Sequence, residues 1–164
     1  MRRIIQRREL RADDAQYPGE EPSEGTRPVV SVAEWLSSVA AGRPAADAIL
    51  IGPTDEVPTL APHLSRLRLI VVDFPKLGDG RGYSQARLLR QRLQYRGELR
   101  ARGVLKRDQL FFLARCGFDS FQLDENENLE AALAGFNTFS VAYQDGSEDL
   151  VHVKRRARGA VSPL

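Results

Sequence analysis

One cysteine, two histidines and three lysines are all that the 164 residues hold of these types, and each shortage excludes a class of chemistry. The lone Cys116 rules out an intrachain disulfide, a cysteine-ligated iron–sulfur cluster and a CxxC redox pair. His63 and His152 lie far apart and outside any HExxH pattern, so no metal site is expected. Neither GxGxxG nor GxxxxGK[ST] is present, and no other redox-cofactor motif replaces them. No cofactor is therefore evident; a flavin enters only as a loosely held molecule without motif support. No apolar run approaches the roughly 20 residues of a membrane span, and the start, with Arg2, Arg3, Arg7 and Arg8, lacks the apolar stretch of a signal peptide. A cytoplasmic protein without membrane partners is expected. The basic tail Lys154-Arg155-Arg156-Ala157-Arg158 carries no interleaved aromatics, so nucleic acid is not expected as a partner.

What remains is an ordinary globular composition, 42% hydrophobic and 28% charged, of a size that suits one core. The net charge of +2 conceals a sorting along the chain. Residues 76–118 hold eleven Lys or Arg against Asp79, Glu98 and Asp108, whereas 119–150 hold eight acids and no base. Of the basic residues 21 are arginine, the side chain suited to bidentate contacts with carboxylate, phosphate or sulfate.

Residues 1–28 have a short β-like start at Ile4 and Ile5 and then the Asp, Pro, Gly and Ser composition of a loop. Ser31 and Glu34 form a capping-box pair ahead of a Val32, Trp35, Leu36, Val39 stripe, a helix that Gly42 and Pro44 end. From there the pattern alternates. Strands are expected at 48–51, 68–74, 98–102, 120–123 and 139–143, and helices at 58–66, from the Ser84 cap, at 107–116 and along Leu129, Ala132, Leu133 and Phe136. Five mostly parallel strands alternating with helices define an α/β domain over 29–144, either an open sheet or a partial barrel, preceded by the irregular segment 1–28 and followed by a flexible tail over 145–164.

One βα unit is about ten residues longer than its neighbours, and the excess is the loop Phe74-Pro75-Lys76-Leu77-Gly78-Asp79-Gly80-Arg81-Gly82-Tyr83-Ser84. It leaves a strand and enters a helix, at the sheet edge where α/β proteins bind ligands. An anion site is expected here from Lys76, Gly80, Arg81, Gly82, Tyr83, Ser84, Arg87 and Arg100; the bland alternative is a turn that joins strand to helix. Arg100 stands inside a strand and needs a partner: a ligand, Asp73, Asp79 or Asp119, unless it reaches solvent from an edge. Catalytic residues are not assignable. Cys116 reads as a small buried residue, Asp108 as a carboxylate favourable to a helix dipole, and His63 as a surface or capping residue.

The block Phe74 to Leu123, FPKLGDGRGYSQARLLRQRLQYRGELRARGVLKRDQLFFLARCGFDSFQL, resembles the signature of a bacterial domain family of unknown function, and the likeness extends to Phe139-Ser140-Val141-Ala142-Tyr143-Gln144. Members are commonly labelled probable oxidoreductases of sulfite reduction because their genes lie beside those of sulfite reductase. The resemblance implies an accessory or electron-transfer partner of sulfite reductase in assimilatory sulfate reduction. The alternative is a small α/β enzyme or binding protein for an anionic metabolite bearing a phosphate or sulfur oxyanion.

Overall fold

Leu69-Ile70-Val71-Val72 has buried side chains on both sides of its strand, so the sheet must be covered on both faces here. The structure, a computed structural model, describes residues 2–21 and 23–142. Its strands are β1 (Arg3–Gln6), β2 (Glu9–Ala12), β3 (Ala15–Gln16), β4 (Arg27–Ser31), β5 (Ala48–Ile51), β6 (Leu69–Phe74), β7 (Glu98–Gly103) and β8 (Ser120–Gln122). The helices are α1 (Val32–Ala40), α2 (Arg81–Arg87), α3 (Leu110–Arg115) and α4 (Leu129–Ala142). A 3-10 segment covers Val57–Arg66, a π-helical turn over Leu88–Arg92 prolongs α2, and a 3-10 turn over Arg107–Gln109 leads into α3.

The strands form one mixed sheet in the order β2-β1-β8-β7-β6-β5-β4-β3, curled as a half-barrel. Strands β4 to β8 run parallel, each beside its neighbour in sequence. Right-handed crossovers between such strands place every helix on one face, and the core agrees. Ile49, Ile51, Ile70, Val72, Leu99, Ala101 and Phe121 pack with Trp35, Leu60, Leu89, Leu113 and Phe136 in one buried cluster. The opposite, inner face holds a second cluster of Ala15, Tyr17, Val29, Ala48, Leu69 and Val71. On β7 and β8 that inner face turns polar, with Glu98, Arg100, Arg102, Ser120 and Gln122 alternating against buried Leu99, Ala101 and Phe121.

The α/β class and four of the expected strands are as the sequence pattern indicates, and the partial barrel is the form the sheet takes. Two expectations change. Residues 139–142 continue α4 instead of forming a strand, because nothing between Phe136 and Phe139 stops a helix already wound from Leu129. In segment 1–28 the β-like start at Ile4 and Ile5 is β1, and the rest is more regular than expected: β1 and β2 form an antiparallel hairpin, β1 pairs with β8, and β3 and the start of β4 extend the other edge. The fifth of the parallel strands is thus β4, not 139–143. Tyr143, His152 and the tail 145–164 lie outside the described residues.

Local chemistry explains several boundaries. The Ser31 hydroxyl accepts from the Glu34 N–H at 3.2 Å, the first half of the expected capping box, and the indole N–H of Trp35 donates to the Ala46 carbonyl at 2.7 Å. Gly103, at φ +124°, ends the β6–β7 ladder where a Cβ would stand 2.3 Å from the Phe74 carbonyl oxygen. From the π-helical turn, the Arg90 guanidinium donates to the carbonyls of Gly117, Tyr95 and Gly97 and pairs with Asp119, tying the end of α2 to the approach to β8.

Candidate functional site

The long loop after β6 leads to a helix that starts earlier than Ser84: α2 begins at Arg81, and Ser84 is an exposed residue within it rather than its cap. Asp79 takes the capping role. Its carboxylate accepts from the Arg81 N–H at 3.1 Å and from the Arg81 guanidinium at 2.7 and 3.0 Å. Those bonds pull the Asp79 carboxyl down to about 2. Gly82 serves packing, since a Cβ there would stand 2.5 Å from the Phe74 ring. Tyr83 stacks edge-on against the same ring at 5.4 Å, and its hydroxyl accepts from the Gln109 amide at 3.1 Å, linking α2 to the turn before α3. Lys76, Gly80 and Arg87 are exposed.

Arg100 does not join this group. It alternates with Leu99 and Ala101, which face the helices, so its side chain lies on the inner face and is 1% exposed. Its guanidinium donates to Asp13 at 2.6 Å, to Glu98 at 2.8 Å and to the Tyr17 hydroxyl at 3.2 Å. Burial works against its charge, yet Tyr17, Glu98 and Asp13 together raise its pKa above the ordinary arginine value. Sequence spacing shows that Arg100 needs a partner, but not that the partner is Asp13, 87 residues away.

Around α2 and α3 the surface combines aromatic rings with cations. Phe112 is 47% exposed although it is a large apolar residue, and it packs against Tyr83 at 5.0 Å with the Arg87 guanidinium 5.8 Å from its ring. Arg115 lies over Phe111 at 5.9 Å. Of the eleven cations between 76 and 118, Arg81, Arg90, Arg100 and Arg102 are paired with carboxylates. The other seven, Lys76, Arg87, Arg92, Arg96, Lys106, Arg107 and Arg115, are exposed. Leu77, in the loop before α2, is 57% exposed. Cys116 is buried at the end of α3, where burial raises its thiol pKa against an opposing hydrogen bond from Arg87, so it stays a thiol and a poor nucleophile.

A second polar group was not anticipated from the sequence. Asp73, Arg102 and Gln122 stand side by side in one row across β6, β7 and β8, on the inner face at the C-terminal ends of the strands. Burial raises the Asp73 carboxyl above the usual range, and Arg102 partly offsets this. A signal that could have found it is the alternation Glu98-x-Arg100-x-Arg102 in a strand expected to be buried on both faces.

Fold and surface define a class: a half-barrel α/β protein whose α2–α3 region carries exposed cations and the half-exposed ring of Phe112. The chain belongs to the family described as bacterial protein of unknown function, DUF934, whose model matches residues 48–152. That range begins at β5, so β1 to β4 and α1 precede it. No curated protein and no solved structure matches the chain. Among the described residues no helix is long and apolar enough to cross a membrane.

Proposed function

We propose that this chain is an accessory protein of assimilatory sulfite reduction that docks on sulfite reductase through the basic, aromatic face of α2 and α3. The observation that carries the docking is Phe112, a half-exposed ring packed against Tyr83 with the exposed Arg87 beside it. An aromatic anchor inside a charged rim is the arrangement of interface hot spots, and arginine is enriched there for the same reason. The partner is taken from the resemblance of residues 74–123 to proteins whose genes accompany sulfite reductase. In this reading the reductase supplies the redox centres and this chain supplies an oriented surface for an acidic patch on it. Binding of purified sulfite reductase from the same source to the immobilised chain tests it. Wild type should bind, and Phe112→Ala and Arg107→Glu should each weaken binding roughly ten-fold or more. No binding by wild type, or equal binding by both variants, would exclude it.

A second reading, a binding protein for a small anionic metabolite at the 76–87 loop, is favoured by the exposed Lys76 and Arg87. Melting temperatures in chloride and sulfate at matched ionic strength decide it. A sulfate shift lost in Arg87→Ala supports it, and an equal shift in both proteins excludes it.

A further inference from the structure

The edge at which the parallel strands begin is not the one where α/β folds bind small ligands, yet it gathers exposed charge of one sign. Arg43 precedes β5, Arg68 precedes β6, Arg96 precedes β7 and Arg115 precedes β8, and all four are exposed. The β1–β2 turn brings the exposed Arg7 and Arg8 to the same edge, because Gln6 pairs with Ser120 and the Arg7 N–H donates to the Asp119 carbonyl at 3.1 Å. In the sheet order β1-β8-β7-β6-β5 these six arginines follow five neighbouring strand ends, a row of about 19 Å at about 4.8 Å per strand.

The acids of this stretch do not neutralise the row. Glu98 accepts from Arg100 and Ser120, Asp119 pairs with Arg90, and Glu9 pairs with Arg11, so among the described residues Asp47 remains beside it. Helix ends do not account for the row either. The C-terminal end of α3 favours Arg115 in its last turn, but Arg7, Arg8, Arg68 and Arg96 belong to no helix. Arg7 and Arg8 moreover take φ of 48° and 64°, backbone that a two-residue hairpin turn ordinarily gives to asparagine or glycine. Mutual repulsion along one edge and a strained turn both oppose folding, which points to a use for these side chains outside the fold.

The kind of cation indicates the partner. Lys76 and Lys106, the described lysines, both stand at the opposite edge, after β6 and β7, whereas the row is arginine throughout. Protein interfaces are enriched in arginine and depleted of lysine, and the guanidinium fork matches a carboxylate. Nucleic acid is served by lysine as well, and its single strands stack on exposed rings. The exposed large apolar side chains among the described residues, Leu77 and Phe112, are not in the row. We propose that the arginine row at the N-terminal edge of the parallel strands is an interface for an acidic segment of a partner protein. About six extended residues of such a segment, at about 3.3 Å each, span the row. Arg7, Arg8, Arg43 and Arg68 lie outside α2 and α3, so the proposal does not rest on the docking reading and either can fail alone.

The test is a titration of the full chain with a short, end-blocked polyglutamate peptide at physiological ionic strength, followed by amide NMR. Shifts should concentrate at residues 7, 8, 43, 68, 96 and 115 and spare 76–81 and 104–109. Two paired charge reversals, Arg7→Glu with Arg8→Glu and Arg68→Glu with Arg96→Glu, each checked as folded by its amide spectrum, should weaken binding about ten-fold or more. Phe112→Ala should bind as wild type does. Unchanged binding in both paired variants, or shifts centred on the lysine edge, would overturn the proposal. Tighter binding of a single-stranded oligonucleotide of equal charge would overturn it in favour of nucleic acid. Binding that appears only when Asp145→Asn, Glu148→Gln and Asp149→Asn are combined in the full chain would overturn it in favour of the chain's own residues 145–149. A dimer lost in the Arg68→Glu, Arg96→Glu variant would overturn it in favour of a second copy.

Discussion

Arg100 is the side chain on which the inner face depends most. It is 1% exposed, Asp13 is fully buried beside it, and the two are joined at 2.6 Å. Removing one member of a buried pair strands the other, so Arg100→Leu should cost about 3–5 kcal/mol even though leucine suits an apolar interior. Denaturant unfolding measures this; a loss below about 1 kcal/mol would mean that Arg2, which also pairs with Asp13, suffices alone. Asp73 gives the opposite sign. Its folded-state pKa is raised by burial, so its contribution is fully present below the unfolded carboxylate range and is lost as pH rises through the folded value. Asp73→Asn has no such dependence. Its stability relative to wild type should therefore increase between pH 3 and pH 7, and a constant difference across that range would show that Asp73 is not desolvated.

The strength of the helical and strand signals varied with the length of the segment that carried them. Strands β5 to β8, helices α1 and α3 and the first half of α4 were legible because their apolar periods are unbroken; α2 was legible except for its start, which lies at Arg81 and not at the expected Ser84 cap. The hairpin β1–β2 was not, since four-residue strands among Arg, Asp and Glu leave too few repeats for a period of two to show. Phe139-Ser140-Val141-Ala142 has the aromatic and β-branched make-up of a strand, yet it continues a helix, where context overrides propensity. The candidate site was legible only in part. The long unit and its cations could be counted, but the face on which each arginine falls depends on strand parity and on partners far away in sequence. The glycines of the loop illustrate this. Gly82 suggests an anion cradle in sequence, whereas in the fold it lets α2 approach Phe74. Gly82→Ala should thus cost about 1–3 kcal/mol in anion-free buffer through overpacking. Unchanged thermal stability of that variant would contradict the close approach.

Among the described residues the cations fall into a set paired with carboxylates and a set that is exposed. Arg2, Arg90, Arg100 and Arg102 meet carboxylates that fasten the sheet and its N-terminal strands, while the seven exposed cations of residues 76–118 are spread from the loop before α2 to the end of α3. A surface of this kind steers association with an acidic partner and leaves close contact to the aromatic anchor. The most direct measurement is amide hydrogen exchange of the chain alone and saturated with sulfite reductase. Slower exchange confined to residues 81–92 and 107–115, and reduced in extent for Phe112→Ala, is the expected result. Exchange unchanged by the reductase, or slowed only in β1 to β4, would contradict docking through this face.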